Sequence, residues 1–500
     1  MDPTTHPLTS SPPEPAVLSG RPAAMALLVV LFAAFMDLLD VTIVTVAAPH
    51  IAADLQASPA QLQWLLAAYP LALGSGLITG GRLGDDYGRR RVFLVSLGCF
   101  AVASAACALA PSATGLVLLR AVQGLAGGFM VPQVLGIIRS SFAPAARAKA
   151  FGAYGAVQGL ASVAGPLLGG ALVDANLWGL DWRTIFWLNL PVAAVALVLG
   201  ARVLPESLAG ARARLDAVGA CLGSVVVFFV LLPLVQGRDW GWPACGWALL
   251  GGGLLLAVAF VGYERRVARR GGQPMLEPAL LAIRPFVAGL AAAALFFGGL
   301  APFFLVFSVY LQVGTGRSAW DTGLVMLPYA VGSLLTSGAG VALAARAGRA
   351  LLIVSSLTLA GAHALLWWLV RDGATPPSSW SLAVAMFVGG LGLGLGAPIL
   401  VNVVLAGVPG RHAGAAGGVL STITQLAGAV GVAVLGTVFF AALTPASTAR
   451  AAGGAASYGH ALAQVMPWQV TTYLLAALAM LALPPRAAAP AGGSDAVPLR

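Results

Sequence analysis

The sequence predicts an all-α polytopic membrane protein with fourteen transmembrane helices. The chain has 500 residues, of which 59% are hydrophobic and only 9% are charged, whereas soluble domains carry about 25% charged residues. The apolar residues fall in repeated blocks of about twenty, the length at which a helix crosses a ~30 Å hydrocarbon core. Strands of a membrane barrel alternate apolar and polar residues over about ten positions, and these blocks do not.

The apolar blocks divide into six, two and six along the chain. We expect an N-terminal six-helix bundle over 25–204, two inserted helices with cytoplasmic linkers over 205–284, and a C-terminal six-helix bundle over 285–484. Residues 1–24 are rich in proline, serine and threonine, which predicts a disordered cytoplasmic tail, and 485–500 are expected to form a second tail. The expected spans are roughly 25–48, 62–82, 92–110, 114–138, 150–173, 184–203, 216–236, 245–263, 286–312, 321–344, 350–370, 380–405, 413–442 and 465–484.

The basic residues predict the orientation of these spans. Arg120 stands inside a span, and all but a few of the others fall in connections on one side of the membrane. Cytoplasmic connections carry the excess of lysine and arginine. We therefore expect a protein of the bacterial inner membrane with both termini on the cytoplasmic side. The net charge of +10 has this origin, and nucleic-acid binding is not expected. The opposite side holds only Arg183, Arg238, Arg317, Arg371 and Arg450.

The connection after the second span, residues 81–91, is short, charged and framed by glycines (GRLGDDYGRRR). Because both flanks read as membrane spans, we expect a tight turn at one membrane face. A weaker echo at 340–349 follows the tenth span and lacks the aspartates. Related turns at equivalent positions predict two repeated halves packed around a midplane site, which is a transporter pattern.

Ionisable side chains inside the spans are the clearest functional signal, because each costs about 2.5–3.5 kcal/mol on insertion scales. Asp37 and Asp40 in the first span are three residues apart and share a helix face. Two close carboxylates in a low-dielectric cavity do not easily both ionise, so at least one is expected to bind and release protons near neutral pH. Arg120 in the fourth span could pair with either carboxylate, as part of the coupling or as a static ion pair. His363 is interpreted as a satisfied or interfacial histidine rather than a proton relay.

Glycines and polar residues in the spans predict packing and a cavity. Gly124 and Gly128 lie four apart, where small residues allow close helix contact. In the fifth span proline and glycines predict a packing and hinge device, and these residues are Gly165, Pro166, Gly169 and Gly170. Polar residues that could line a substrate cavity, or instead join helices by hydrogen bonds, are Gln123, Gln158, Asn189, Tyr310, Gln312, Asn402 and Gln425.

Several other classes of function lack their sequence patterns. The four cysteines form no CxxC pair and lie beside no histidine cluster, so free thiols and no metal site are expected. The sequence contains no GxxxxGK[ST] loop, which argues against ATP-driven transport. No serine, histidine and aspartate set has the loop context for hydrolysis. We therefore expect neither an enzyme nor a bound cofactor, with a proton gradient as the energy source.

Four stretches resemble known motifs. Residues 81–91 are similar to the signature loop of the major facilitator superfamily. Residues 39–49 (LDVTIVTVAAP) resemble the first-helix motif of its fourteen-helix drug:proton antiporter branch, with Thr45 where asparagine is usual and Asp37 as an addition. Residues 120–128 resemble the proton-transfer motif of the fourth helix, and 152–170 resemble the antiporter motif of the fifth helix, with Ala161 in place of one glycine.

This resemblance implies two six-helix bundles that rock around a central cavity, with two extra helices between them. It implies a gate built from Gly81, Asp85, Gly88, Arg89 and Arg90, in which Asp85 makes a charge-relay contact near the cytoplasmic side. It implies that Asp40 and Arg120 serve proton coupling. Asp37 is a further candidate, because it is a carboxylate inside the same span and not because of the resemblance. Inward proton flow would then drive an amphipathic or cationic small molecule out of the cell, with the protein acting as a monomer in the lipid bilayer.

Three alternatives to broad drug export remain open. A dedicated exporter of one endogenous metabolite or antibiotic would keep the fold and change the cargo. A proton symporter would reverse the direction, although the antiporter-like fifth span argues mildly against it. A non-transporting receptor or scaffold is disfavoured, because such a protein gains nothing from charges buried in its spans.

Overall fold

The structure is a computed structural model in which helices account for every expected span. It describes residues 18–483 except 207–215, 238–239, 242, 271, 273, 275–279, 281, 373–375, 407, 409–412 and 444–453. The first seven helices are α1 (Gly20–Asp54), α2 (Pro59–Tyr87), α3 (Arg89–Ala108), α4 (Ala113–Ser141), α5 (Pro144–Ala175), α6 (Thr184–Trp187) and α7 (Asn189–Val203). The others are α8 (Ala217–Gln236), α9 (Ala244–Arg269), α10 (Arg284–Gly298), α11 (Leu300–Val309), α12 (Ala319–Val370), α13 (Ser379–Ala406), α14 (Ala413–Ala442) and α15 (Gly454–Met480).

These helices have the length and composition of membrane spans. Within the described ranges, nine helical segments are long and apolar enough to cross a membrane, or ten when the bent helix α2 counts as one span. No strand occurs in the part of the chain that the structure describes. The prediction of an all-α polytopic membrane protein is confirmed.

The helices pack as two bundles with a hairpin beside them. The first seven helices pack mainly on one another, as do α10–α15. Three helix pairs make most of the contacts between the halves: α1 with α11, α2 with α14, and α5 with α12. Helices α8 and α9 pair with each other, and α8 also rests on α2 and α14. The inserted pair therefore lies at the seam between the halves.

The two halves share a backbone contact that reveals an internal repeat. In the first half, a methyl group on Gly124 would overlap the carbonyl oxygen of Tyr69, and one on Gly128 would overlap that of Leu73. In the second half Gly390 meets Tyr329 and Gly394 meets Ser333 in the same way. In each half the two glycines are four residues apart, and so are the two residues whose carbonyl groups they meet. The faint repeat expected from the sequence is thus present in the packing of α2 on α4 and of α12 on α13.

Several boundaries differ from those expected. Helix α1 begins at Gly20 rather than Met25, and residues 1–17 and 484–500 of the expected tails lie outside the described residues. Residues 81–87 were expected in a turn but continue helix α2, and the turn is confined to Gly88, whose φ is +99°. Residues 340–349 likewise remain helical, with a kink at Ala347 (φ −141°). Charged residues at a helix end keep their backbone hydrogen bonds, so charge alone does not mark where the helix stops.

The two faces of the membrane domain can be named from the helix ends. The face where α2 ends and α3 begins carries Arg82, Arg89, Arg90 and Arg139, and we call it the basic face. The face where α1 ends and α2 begins is called the distal face. The buried residues described next lie between the two.

Candidate proton-coupling site

The centre of the first half is a buried ion pair between α1 and α4. The Arg120 guanidinium contacts the Asp40 carboxylate, and each residue is only 1% exposed. Desolvating two charges is costly, and only close contact and further hydrogen bonds make such a pair tolerable. We therefore expect further hydrogen bonds around this buried ion pair.

Two amides complete the shell around Asp40. Gln123 accepts a 2.8 Å hydrogen bond from Arg120 and donates a 3.0 Å bond to Asp40. Asn189, the first residue of α7, donates to Asp40 at 2.8 Å and to the Ser104 hydroxyl at 3.0 Å. Asp40 thus accepts hydrogen bonds from three side chains on two helices, α4 and α7.

Asp37 has a different environment, although it lies one helical turn away. The Tyr69 hydroxyl of α2 donates to Asp37 at 2.6 Å, and no other side-chain donor to Asp37 occurs among the described residues. The Tyr69 ring also lies under the guanidinium of Arg120, with 4.3 Å between its centroid and the Arg120 Cζ. Tyr69 therefore touches both the second carboxylate and the ion pair.

Glycines of α4 make room for this arrangement. A methyl group on Gly127 would lie 2.8 Å from an Asp37 carboxylate oxygen and 2.9 Å from the Tyr69 hydroxyl. Gly124 abuts the Tyr69 backbone, so α2 and α4 touch directly. The close helix contact predicted from Gly124 and Gly128 is confirmed, and it brings Tyr69 within reach of Asp37.

The gate residues predicted from the sequence form a second network at the basic face. Asp85 accepts a 2.9 Å bond from Arg89, and Arg89 donates at 3.1 Å to the Gly136 carbonyl of α4. Arg90 donates its backbone N–H to Glu206 at 3.2 Å and its guanidinium to the Ala201 carbonyl. This network fastens the start of α3 to α4 and to the end of α7. Gly81 at the same end of α2 packs on Pro132 of α4.

The glycines of α5 serve both halves. Gly165 and Gly169 abut Thr42 and Ile43 of α1, whereas Gly170 abuts Ala319 at the start of α12. Gly323 of α12 approaches the carbonyl of Pro166, so that a methyl group there would lie 2.6 Å from its oxygen. Helix α5 is therefore packed backbone to backbone on the helices on either side of it.

Contacts between the halves occur at the distal face. The Asp174 carboxylate accepts bonds from the backbone N–H groups of Ala319 and Trp320, at 3.2 and 3.0 Å. Gln312 donates at 2.8 Å to the Val46 carbonyl of α1. An open cavity of about 490 Å³ lies above this contact, with His50, Asp54, Asp181, Gln312 and Arg317 in its lining.

The other predicted cavity residues are dispersed. Gln158 makes a 3.5 Å contact with the hydroxyl of Tyr154 in its own helix. Tyr310 is 2% exposed and lies in a π-helical turn (Tyr310–Gly314). Asn402 is exposed on α13. Gln425 of α14 packs on Gly74 of α2, across the seam. Gln123 and Asn189 are the members of this set that the structure brings to Asp40.

Three residues of the site were not predicted. Tyr69 is the hydrogen-bond partner of Asp37, Ser104 supports Asn189, and Asp174 joins α5 to α12. A tyrosine in the middle of an expected span was a usable signal for Tyr69. The sequence gives no such signal for Ser104 and Asp174. A serine within a span, or an aspartate at the end of one, often occurs without a partner in another helix.

The part of the chain that the structure describes contains no group of three metal-binding side chains. Its arrangement is instead that of two repeated, glycine-packed helix bundles, the first of which has buried charges at its centre. A model of the Major Facilitator Superfamily matches residues 30–432. The chain belongs to the major facilitator superfamily.

Relatives within this superfamily include three from actinobacteria. The chain is 41% identical to a protein named probable actinorhodin transporter of Streptomyces coelicolor, over 86% of this chain and 75% of the relative. It is 37% identical to the tetracenomycin C resistance and export protein of Streptomyces glaucescens, over 84% and 76%. It is 33% identical to the multidrug efflux pump LfrA of Mycolicibacterium smegmatis, over 91% and 90%.

Solved structures share the fold at low sequence identity. A bacterial homologue of the human lysosomal transporter Spinster, in an inward-facing and occupied conformation, has a TM-score of 0.62 at 18% identity and covers 93% of this chain and 97% of its own. A D-xylose–proton symporter has a TM-score of 0.61 at 15% identity, with 92% and 97% covered. These likenesses establish the major facilitator fold.

Proposed function

We propose that this chain exports amphipathic or cationic drug-like molecules in exchange for protons, as a member of the fourteen-helix drug:proton antiporter branch. The observation that carries the proposal is the pair of buried carboxylates on one face of α1. One is bound by Arg120 and two amides, and the other is bound by a single tyrosine. A scaffold protein has no use for two unequal buried carboxylates, whereas a proton-coupled transporter needs one that changes its charge.

The unequal shells suggest a division of roles. Asp40 accepts from three side chains, one of them the Arg120 guanidinium, so its negative charge is well compensated. Asp37 has one neutral donor and lies near a second carboxylate, which favours the neutral form of one member of the pair. We assign the transported proton to Asp37 and the orienting role to the ion pair of Asp40 with Arg120. Tyr69 links the two because it contacts both Asp37 and Arg120.

Alternating access would use the three helix pairs that join the halves. The distal contacts of Asp174 with α12 and of Gln312 with α1 must break when that side opens. The network of Asp85, Arg89 and Gly136 holds the basic face of the first half as a rigid unit. We assign the basic face to the cytoplasm, because arginine concentrates there, and take the proton gradient as the only energy source of a monomeric transporter.

The names of the relatives support export of small molecules. They include a multidrug efflux pump, a tetracenomycin C resistance and export protein and a probable actinorhodin transporter. The fourteen-helix assignment is supported by the hairpin of α8 and α9, which adds two helices between the two bundles.

The test is a panel assay in inverted membrane vesicles with an imposed pH gradient, acidic inside. Ethidium, tetraphenylphosphonium and 1,8-dihydroxyanthraquinone are added in turn, and dissipation of the gradient is recorded. We expect at least one compound to collapse the gradient with wild-type protein and not with Asp37→Asn. Export without proton coupling would appear as compound accumulation that leaves the gradient intact, and it would overturn the proposal.

A dedicated exporter of one antibiotic is the second candidate, favoured by the relatives named for actinorhodin and tetracenomycin C. The same panel separates the two candidates. A broad exporter responds to structurally unrelated compounds, whereas a dedicated one responds to a single chemical class. A response only when the gradient is reversed would indicate a symporter.

A further inference from the structure

The second half contains a buried polar cluster that the proposed proton site does not use. It consists of Tyr329 and His363 on α12 and Gln469 and Tyr473 on α15, which we call the aromatic cluster. Their exposures are 4%, 1%, 0% and 0%. Each of the four has one side-chain atom without a hydrogen-bond partner among the described residues: the two hydroxyls, His363 Nε2 and Gln469 Oε1.

The hydrogen bonds that these residues do make fix the character of the free atoms. His363 Nδ1 lies 2.8 Å from the Leu359 carbonyl, which can only accept, so Nδ1 carries the proton and the neutral ring presents a bare Nε2. Gln469 donates its Nε2 to the Gly299 carbonyl at 3.0 Å, so its free atom is the amide oxygen. The cluster therefore offers two acceptors beside two hydroxyls that can either donate or accept.

Aromatic rings form the walls around these atoms. The ring of Phe303 lies 4.7 Å from that of His363 and 6.3 Å from that of Tyr329. The His363 and Tyr473 rings are 5.1 Å apart, and Phe296 stands edge-on to Tyr473. Gly299 lets two of the polar atoms lie close to the backbone, because a methyl group there would lie 2.7 Å from Gln469 Oε1 and 3.0 Å from the Tyr473 hydroxyl.

Charge does not occur at this site. The expected spans of the second half contain no aspartate, glutamate, lysine or arginine except Asp321 at the start of α12. An imidazolium at His363 would have no carboxylate to compensate it, and burying an unpaired charge is far more costly than burying a neutral ring. The aromatic cluster therefore suits a neutral partner.

The position of the cluster connects it to the seam between the halves. Phe303 lies on α11, which contacts α1, and Tyr329 lies on α12, which contacts α5. Half-buried Phe304 of α11 stands edge-on to Tyr329, with 5.1 Å between the ring centroids. The aromatic cluster therefore lies on helices that border the first half of the molecule.

We propose that the aromatic cluster binds a neutral hydroxyl group, whose hydrogen is donated to His363 Nε2 or Gln469 Oε1 and whose oxygen accepts from a tyrosine. Buried polar atoms are almost always paired, so this hydroxyl is supplied either by an internal water or by a phenolic group of the transported molecule. The second source rests on the proposed export function and makes hydroxylated aromatic compounds its preferred substrates.

The test compares binding of 2,6-dihydroxyanthraquinone, whose hydroxyl groups have no carbonyl partner within the molecule, and of its dimethyl ether to purified protein, without any proton gradient. The variants are His363→Leu and Tyr473→Phe. Matched controls are His460→Leu and Tyr458→Phe, which change the same residue types on α15 outside the cluster. Thermal unfolding of each variant is recorded in the same samples.

If the phenol is the source, wild type and the controls bind the hydroxylated compound about tenfold more tightly than the ether, and both cluster variants lose this preference. If water is the source, the two compounds bind alike in every protein, and both cluster variants unfold at lower temperature than their controls. The proposal is overturned when the cluster variants match the controls in both binding preference and unfolding temperature.

Failure of this proposal is distinguishable from failure of the export function. Proton exchange for tetraphenylphosphonium, which has no hydroxyl group, depends on Asp37 and not on the aromatic cluster. If the protein exchanges this cation for protons but binds the hydroxylated compound no more tightly than the ether, the export proposal stands and the proposal for phenol binding at the aromatic cluster fails. If the protein prefers the hydroxylated compound but exchanges no protons, the cluster proposal stands and the export proposal fails.

Discussion

The two halves of the molecule share a backbone arrangement but bury different chemistry. Tyr69 packs its carbonyl on Gly124 in the first half, and Tyr329 does the same on Gly390 in the second. Four residues before these glycines stand Arg120 and Met386, each 1% exposed. The first half thus places a guanidinium where the second places a thioether. The comparison teaches that glycine contacts set the helix geometry, while a few side chains decide whether a half handles charge.

The largest effect is expected when the first half receives the second half's residue. Arg120→Met leaves Asp40 buried without its cation, which costs roughly 3–5 kcal/mol of folding free energy. Thermal unfolding in detergent, followed by tryptophan fluorescence, measures the loss. The double variant Asp40→Asn with Arg120→Met is the control and should recover most of the stability, because no unpaired charge remains. Equal stability of the single and double variants would contradict the charge argument.

A smaller difference is expected between the two equivalent tyrosines. Tyr69→Phe removes the only described side-chain donor to Asp37 and leaves a buried carboxyl oxygen without a partner, which costs about 1–3 kcal/mol. Tyr329→Phe removes a hydroxyl with no partner among the described side chains, so its cost should be about 1 kcal/mol or less. Unfolding temperatures of the two variants provide the comparison. A larger loss for Tyr329→Phe would show that the second half holds its polar groups more tightly than the first.

The shared backbone contact predicts similar behaviour at Gly124 and Gly390. Alanine at either position would overlap a backbone carbonyl oxygen, and overpacking of this kind costs about 1–3 kcal/mol. Gly98→Ala in α3 and Gly361→Ala in α12 are matched controls, because an added methyl group meets nothing within 4 Å. These controls should gain up to about 1 kcal/mol from helix propensity. If alanine lowers the stability at only one of Gly124 and Gly390, the halves are not equivalent at this contact.

The smallest effect concerns the junction after the second helix of each half. Gly88 has φ +99°, whereas Ala347 in the second half has φ −141° and tolerates a side chain. Gly88→Ala should cost about 1 kcal/mol or slightly more, because its φ and ψ lie in a region that side chains rarely occupy, and its methyl group would also displace the Glu206 carboxylate. The Gly98→Ala variant serves again as reference in unfolding experiments. No loss at Gly88 would mean that the junction relaxes without strain.

The fold was largely predictable from the sequence, because hydropathy blocks of one bilayer thickness have few alternative structures. Helix ends were not, since residues 81–87 are charged and yet continue α2 to Gly88. Asp37, Asp40 and Arg120 could be selected because charge inside a span is rare. Their pairing could not, since the partner of Asp37 depends on how closely α2 approaches α4. His363 was expected to be satisfied or interfacial, but it is buried, and one of its two ring nitrogens has no partner among the described residues.

The site in the second half shows why neutral polar residues escape prediction. Tyr329, Gln469 and Tyr473 lie far apart in the chain and carry no charge, so nothing in their local sequence separates them from ordinary span residues. Only the packing of α12 against α15 brings them together. Sequence reasoning thus located the half that handles charge and missed the neutral one.

The central claim is that Asp37 carries the exchanged proton while Asp40 remains paired with Arg120. It is tested most directly by adding tetraphenylphosphonium to purified protein in weakly buffered detergent and recording proton release with a pH indicator. We predict release from wild type and from the control Gly98→Ala, and none from Asp37→Asn, which has no carboxyl group at that position to give up a proton. Undiminished proton release from Asp37→Asn would contradict the account.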